Sequence, residues 1–301
     1  MNGSSQLVFD GSARRQVVVE TCRSARRSLT LSIFRCDDFG IIEEITAAVQ
    51  RGVSVRVLIS RDARGWKKRL QRLAELLGSA GAQVYRYDGP FLKYHAKYVV
   101  ADDAIALVSS SNLTHKCFER TCDFLFATRD AEIITGVKRL FEHDCDVPTL
   151  PLPPLPESLI VGPEATRERF TALLERAKTR ILIMDHRVTD SAVLELLDSQ
   201  RKNGVSVTIL GRGVMGSMVS HGRMLLVDDN IGAIGSVALS RPSLDSRREC
   251  AIMIEDADLV KELGRYFEYC SVRHVVHVPA DGPDPDLDDD DDEGDDVSDL
   301  L

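Results

Sequence analysis

His95, Lys97 and Asn112 are residues whose types and spacing could do chemistry together. His95 and Lys97 stand two apart where a run of β-formers, Lys97 to Ala101, begins, so both side chains leave the same face of a strand. Asp102-Asp103 predicts a turn, Ala104 to Val108 the returning strand of a hairpin, and Ser109 to Asn112 the turn that ends it. That path carries Asn112 back toward the histidine and the lysine. A lysine and an amide can hold the non-bridging oxygens of a phosphodiester while an imidazole attacks phosphorus or moves a proton. The expectation is a site that needs no metal and no cofactor.

The same spacing recurs at an offset of 126. His221, Arg223, Asp228 and Ser236 fall where the first copy has His95, Lys97, Asp102 and Ser110, while Ala238 falls where it has Asn112. Arginine can still hold a phosphate oxygen, in a fork rather than as a point charge. Alanine cannot replace an amide, and one donor lost from a transition-state cradle typically costs about 10^2 to 10^3 in rate. Asp123 and Glu249 are matching acidic positions on the strand after each motif, and each can fix the tautomer of a histidine.

The elements that must position these groups are themselves duplicated. Residues 7–58 align without a gap on 159–210 at an offset of 152, Gly-Val-Ser-Val at 52–55 meeting Gly-Val-Ser-Val at 204–207. The chain therefore reads as a tandem repeat. Each copy predicts an amphipathic helix, a buried-type strand (29–34; 181–184), a second helix and a second strand (53–59; 205–210), then the motif hairpin, a further strand and a closing helix. The drop in offset from 152 to 126 removes 26 residues just before the second motif. There the first copy has a helix starting Trp66-Lys-Lys-Arg and a short strand at 83–87; the second is expected to have only a glycine-bearing loop with Met215 and Met218. Five prolines between 148 and 156 mark a stiff linker. The expected division is 1–147, linker 148–157, 158–279, and an acidic tail 280–301.

The pattern His-x-Lys, four residues, Asp, six residues, small-Ser-x-Asn resembles the signature of the phospholipase D superfamily, with Ser109 where that family has glycine. The resemblance implies an α/β fold of two similar domains, each a mixed sheet flanked by helices, with both motifs at their interface. It implies His95 as nucleophile and His221 as general acid and base. It further implies that the carboxylates cross between halves, Glu249 serving His95 and Asp123 serving His221. Asp102 and Asp228 are then turn and salt-bridge residues, and Ser110 and Ser236 supporting motif positions.

Composition bounds the rest. The 301 residues carry a net charge of −9, but residues 281–301 hold eleven Asp and one Glu with no basic residue, so the body carries about +3. That is neither repelled by a phosphate substrate nor basic enough to mark a nucleic-acid binder. The tail is expected to be a solvated, disordered segment. Seven scattered cysteines without metal-ligand spacing point to a reducing compartment. Neither a signal peptide nor a membrane-spanning run is visible, so the expectation is a soluble protein, cytoplasmic or peripheral to a membrane. His115, His143, His186, His274 and His277 have no ligand spacing and receive no role. Arg35 and Arg187 end equivalent strands and could reach the cleft.

The expected substrate is a phospholipid-type diester, hydrolysed or transferred through a phosphohistidine. Two alternatives stay open. One is a nuclease or nucleic-acid end-processing phosphodiesterase of the same superfamily, favoured by the basic helix that begins at Trp66. That helix is expected to pack one face on the sheet with its basic residues in solvent, the sharper alternative being a basic rim whose indole meets a headgroup or a base. The other is a non-catalytic scaffold that binds phosphorylated ligands, the second motif having decayed. Oligomeric state is left open.

Overall fold

A computed structural model describes residues 5–61 and 63–276 of the chain; the acidic tail lies outside the described residues. The first half runs β1 (Ser5–Val8), α1 (Gly11–Ser24), β2 (Ser28–Ile33), α2 (Phe39–Gln50), β3 (Ser54–Ile59), α3 (Lys67–Ala80), β4 (Gln83–Arg86) and β5 (Lys93–Tyr94). It continues through β6 (Tyr98–Ala101), β7 (Ile105–Ser109), α4 (His115–Arg120), β8 (Thr121–Cys122), β9 (Leu125–Thr128) and α5 (Ala131–Asp146). The second half runs β10 (Leu159–Val161), α6 (Thr166–Glu175), β11 (Arg180–Met184), α7 (Ser191–Lys202), β12 (Ser206–Leu210), β13 (Val214–Met215) and β14 (Met218–Ser220). It closes with β15 (Arg223–Val227), β16 (Ile231–Gly235), α8 (Arg241–Asp245), β17 (Arg247–Arg248), β18 (Cys250–Ile254), α9 (Ala257–Ser271) and β19 (His274–Val275).

Two mixed sheets result. The first has the order β1-β9-β7-β6-β2-β3-β4 and the second β10-β18-β16-β15-β11-β12, the same arrangement without the last strand. The missing strand is what the 26-residue difference removes, together with α3. In its place β13 and β14 pair as a hairpin, Met215 opposite Met218 across Gly216-Ser217. A loop was expected here; Gly-Ser between short apolar pairs is instead a two-residue hairpin turn, and Gly216 takes the positive φ (67°) such a turn favours.

Alternation along the strands assigns each side chain to one of three cores. Tyr98 and Val100 of β6, Phe126 of β9, Leu182 and Met184 of β11 and Ile252 of β18 face inward and form one core shared by both halves, with Val137 and Phe141 of α5 and Leu263 and Phe267 of α9. Leu29, Leu31, Val99 and Leu125 face outward against α1, α2 and α3. Ile181, Ile183, Leu225 and Ala251 do so against α6, α7 and α8. The two halves are thus joined back to back through apolar surface.

Helix starts follow the sequence. Asp38 and Asp190, at equivalent positions, cap α2 and α7 by accepting from Ile41 N and Val193 N. Each is also held by an arginine of the preceding helix, Arg15 and Arg167. The basic helix α3 buries Leu70, Leu73 and Leu77 and leaves its charges in solvent. Trp66 is buried, with the guanidinium groups of Arg35 and Arg69 over its ring, so the indole does not form an exposed rim.

Asp102 and Asp228 occupy the turns after each motif, both with φ of 53°. Rather than pairing with a cation, the Asp102 carboxylate accepts from the backbone N–H groups of Arg26, Arg27 and Ser28, tying the hairpin to the start of β2. Asp228 does the same for Lys178, Thr179 and Arg180. Asp102→Ala should cost about 2–3 kcal/mol, because three charge-assisted bonds go and a Cβ stays at positive φ. Asp102→Gly, which removes the same bonds but relieves the φ, should unfold at a higher urea midpoint than Asp102→Ala.

Candidate active site

Of the short strands outside the two large sheets, four place the site: β5, β8, β14 and β17. β5 pairs in parallel with β17, Tyr94 opposite Arg248, and β14 pairs in parallel with β8, Ser220 opposite Cys122. Both ladders join one half to the other, and the repeat relates them. The residue after each of these strands is one of the four singled out in the sequence: His95 follows β5, Glu249 follows β17, His221 follows β14 and Asp123 follows β8. Each sits where the chain leaves an inter-half ladder and enters its own sheet. Because pairing is parallel and in register, the residue after one strand emerges beside the residue after its partner. His95 N donates to Arg248 O (2.8 Å) and Gly222 N to Cys122 O (2.7 Å), which locks this register.

The carboxylates accordingly cross. His221 Nδ1 lies 2.9 and 3.0 Å from the two oxygens of Asp123. His95 Nδ1 lies 3.5 Å from Glu249 Oε2, a looser contact. All four groups are buried. Lys97 Nζ stands 2.8 Å from His95 Nε2 and 3.0 Å from His95 O. An ammonium only donates, so Nε2 accepts and the ring proton sits on Nδ1, toward Glu249. His95 therefore presents a lone pair in the direction its lysine faces.

Asp123 is embedded further. Ser110 Oγ donates to Oδ1 (2.6 Å), Thr121 Oγ1 to Oδ2 (2.5 Å), and Arg14 Nη1 lies 3.7 Å from Oδ2. Burial opposes ionisation of this carboxyl, but His221, Arg14 and Ser110 together outweigh it and hold it down at about 2. The counterpart Ser236 Oγ points instead to Cys250 O (3.3 Å), so the two half-sites are not copies in detail.

The remaining expected residues are placed as follows. Asn112 and Lys97 line one small cavity with Phe34 and Arg35. Arg223 is buried and lines the equivalent cavity in the second half with Asp185. Ala238 is buried, its N–H donating to Ser243 Oγ (2.8 Å). Arg35 is fully buried, its Nη2 donating to Arg64 O (3.2 Å), and its guanidinium lies over Phe34 and Trp66. Among the described residues one trio of possible metal ligands lies together, Cys117, Asp123 and His221. A cation there would have to displace the proton between His221 and Asp123 and sit beside Arg14, so the donor set fits a metal poorly.

Several site residues were not singled out. Arg14, from α1, also donates to Cys117 O and Thr121 O; nothing in its helix marks it. Lys93 is buried with Nζ 5.1 Å from the Phe34 ring, and its spacing of two from His95 was a legible signal. Phe34 itself packs edge-on against His95, centroids 4.6 Å apart.

Gly222, between His221 and Arg223, is required by this crossing. A Cβ there would lie 2.8 Å from Cys122 O and Asp123 Cα and 2.7 Å from the Phe124 ring. Gly222→Ala should therefore push the β14–β8 ladder apart, costing about 1–3 kcal/mol of stability and lowering turnover with it. A thermal melt alongside the rate would check both.

The family model described as "Cardiolipin synthase, PLD-like domain" matches residues 18–145 and 214–271. The chain belongs to the phospholipase D superfamily. It is 32% identical over 131 residues to cardiolipin synthase A of Pseudomonas entomophila, 42% of this chain and 27% of that protein. It is 27% identical over 150 residues to cardiolipin synthase 1 of Bacillus cereus, 47% of this chain and 29% of that one. The aligned stretch thus spans under a third of the length of these curated relatives. Phosphatidylserine synthase of Haemophilus influenzae shares the fold, with a TM-score of 0.75 at 14% identity over 92% of this chain and 88% of that one. Polyphosphate kinase of Porphyromonas gingivalis does so with a TM-score of 0.73 at 22% identity over 88% of this chain and 50% of that one.

Proposed function

We propose that the protein is a metal-independent phosphodiesterase or phosphatidyltransferase acting on a phospholipid-type diester through a phosphohistidine at His95. The observation that carries this reading is the crossed pair of imidazoles, each backed at Nδ1 by a carboxylate of the opposite half, with Lys97 on His95 Nε2. In the first step His95 Nε2 forms a bond to phosphorus, and the P–O bond to the leaving alcohol breaks. His221, protonated, gives that oxygen its proton. In the second step His221 takes a proton from water or an incoming alcohol, whose oxygen bonds to phosphorus as the P–N bond breaks. Lys97, Asn112 and Arg223 hold the non-bridging oxygens, and Lys97 and Arg223 supply the positive charge that a metal supplies in other phosphoryl-transfer sites.

A phospholipid is favoured by the family model and by the cardiolipin synthases that part of the chain resembles. No helix among the described residues is long and apolar enough to cross a membrane, so the proposed encounter with lipid is peripheral. The exposed basic face of α3, with Lys67, Lys68, Arg69 and Arg72, favours a second reading in which the diester is a nucleic acid.

Vesicles of phosphatidylglycerol and phosphatidylcholine, incubated with the protein in EDTA and a short primary alcohol, test the first reading. The phosphatidyl-alcohol is the expected product. No lipid product, together with cleavage of single-stranded DNA in EDTA and DNA binding that weakens steeply with salt, would replace it by the second.

A further inference from the structure

At two adjacent positions the second half has gained a polar group rather than lost one. The offset of 152 brings Phe34 onto His186. Phe34 is buried against His95. His186 lies nearly parallel to His221, centroids 6.0 Å apart and planes 13° apart, and it is only half-buried. Its backbone is anchored by Asp185, a buried carboxylate where the first half has Ile33. Asp185 accepts from Arg187 N (2.9 Å) and from Leu239 N (2.6 Å). Those two bonds fix the loop on either side of His186 and tie it to the residue directly after Ala238, the position without an amide.

We infer that His186 supplies the contact to a non-bridging phosphate oxygen that Ala238 cannot make. The second half then grips the phosphate with Arg223 and an imidazole, where the first uses Lys97 and Asn112. An imidazole N–H can donate to oxygen as an amide does, and the phenyl ring at the matching place in the first half cannot. The inference deepens the phosphodiesterase reading and rests on it.

His186→Phe installs the first half's own residue and keeps an aromatic ring against His221, so packing changes little. It should lower kcat/KM by about 10^2 while the thermal midpoint stays close to the parent's. Adding Ala238→Asn should recover most of that loss, and His186→Gln, which keeps an N–H donor, should lose less than His186→Phe. Inorganic phosphate binding to the full chain, measured by calorimetry, should follow the same order. A His186→Phe variant within about twofold of the parent in both rate and phosphate affinity would overturn the inference. So would a double variant no better than His186→Phe alone. A parent protein that turns over no lipid diester counts against the phospholipid reading only, and the phosphate affinities then decide the case of His186.

Discussion

His95→Ala should abolish turnover, a fall of about 10^4 or more, because on the proposed mechanism it removes the nucleophile of the covalent step. The fold should survive: His95 is buried, but its backbone N–H to Arg248 O, which locks the β5–β17 ladder, does not depend on the side chain. His221→Ala provides the contrast. With an activated leaving group such as p-nitrophenolate the first step needs no proton, so this variant should still give a stoichiometric burst and then stall as the phosphohistidine. His95→Ala should give no burst with any substrate. A burst from His95→Ala that His221→Ala lacks would reverse the assignment of nucleophile and acid.

Asp123→Asn should act on both rate and stability. An amide cannot stabilise the charged His221 ring, and an equivalent change in the Ser-His-Asp enzymes costs about 10^4, which sets the scale expected here. The stability effect has a sign that follows from the carboxyl's position at about 2 in the folded protein, below its ordinary 3.8. A group held down in this way stabilises the fold above its unfolded value and loses that contribution as pH falls from about 4 through about 2. Two units correspond to about 2–3 kcal/mol. The parent should therefore lose most of that stability between pH 4 and pH 2 through this group, and Asp123→Asn should show a flatter acid limb from a lower plateau. Glu249→Gln, at the looser 3.5 Å contact, should change stability less. Urea denaturation at several pH values would measure both.

The duplication, the succession of elements in each copy and the four singled-out polar positions were legible because period-two alternation and a constant offset repeat over long stretches. What escaped was short. A short strand precedes each acidic residue, β8 before Asp123 and β17 before Glu249, and serves the other half before the chain rejoins its own sheet at β9 or β18. A two-residue ladder has no periodicity to read, and its partner lies far away in the sequence, Thr121 opposite Val219 and Arg247 opposite Lys93. Arg14 escaped for a different reason: its buried guanidinium donates to carbonyls of α4 and β8, about a hundred residues away, a contact that no local pattern encodes. The helix that begins at Trp66 packs as its apolar spacing with Leu70, Leu73 and Leu77 indicates, one face on the sheet and basic residues in solvent, and only the exposed-rim alternative fails, because Trp66 is in the core.

The two inter-half ladders bear on how such a duplicated chain can diverge. Each copy keeps the carboxylate that the other copy's imidazole needs, so neither can be discarded once fused, and a loss in one is felt in the other. The parts that do not cross are less bound. Asn112 and Lys97 serve their own half, and at the corresponding places the second copy has become alanine and arginine while the shared His221 and Glu249 stand. Interdependence of this kind lets two former equals specialise, one toward attack and one toward proton handling, without either becoming dispensable.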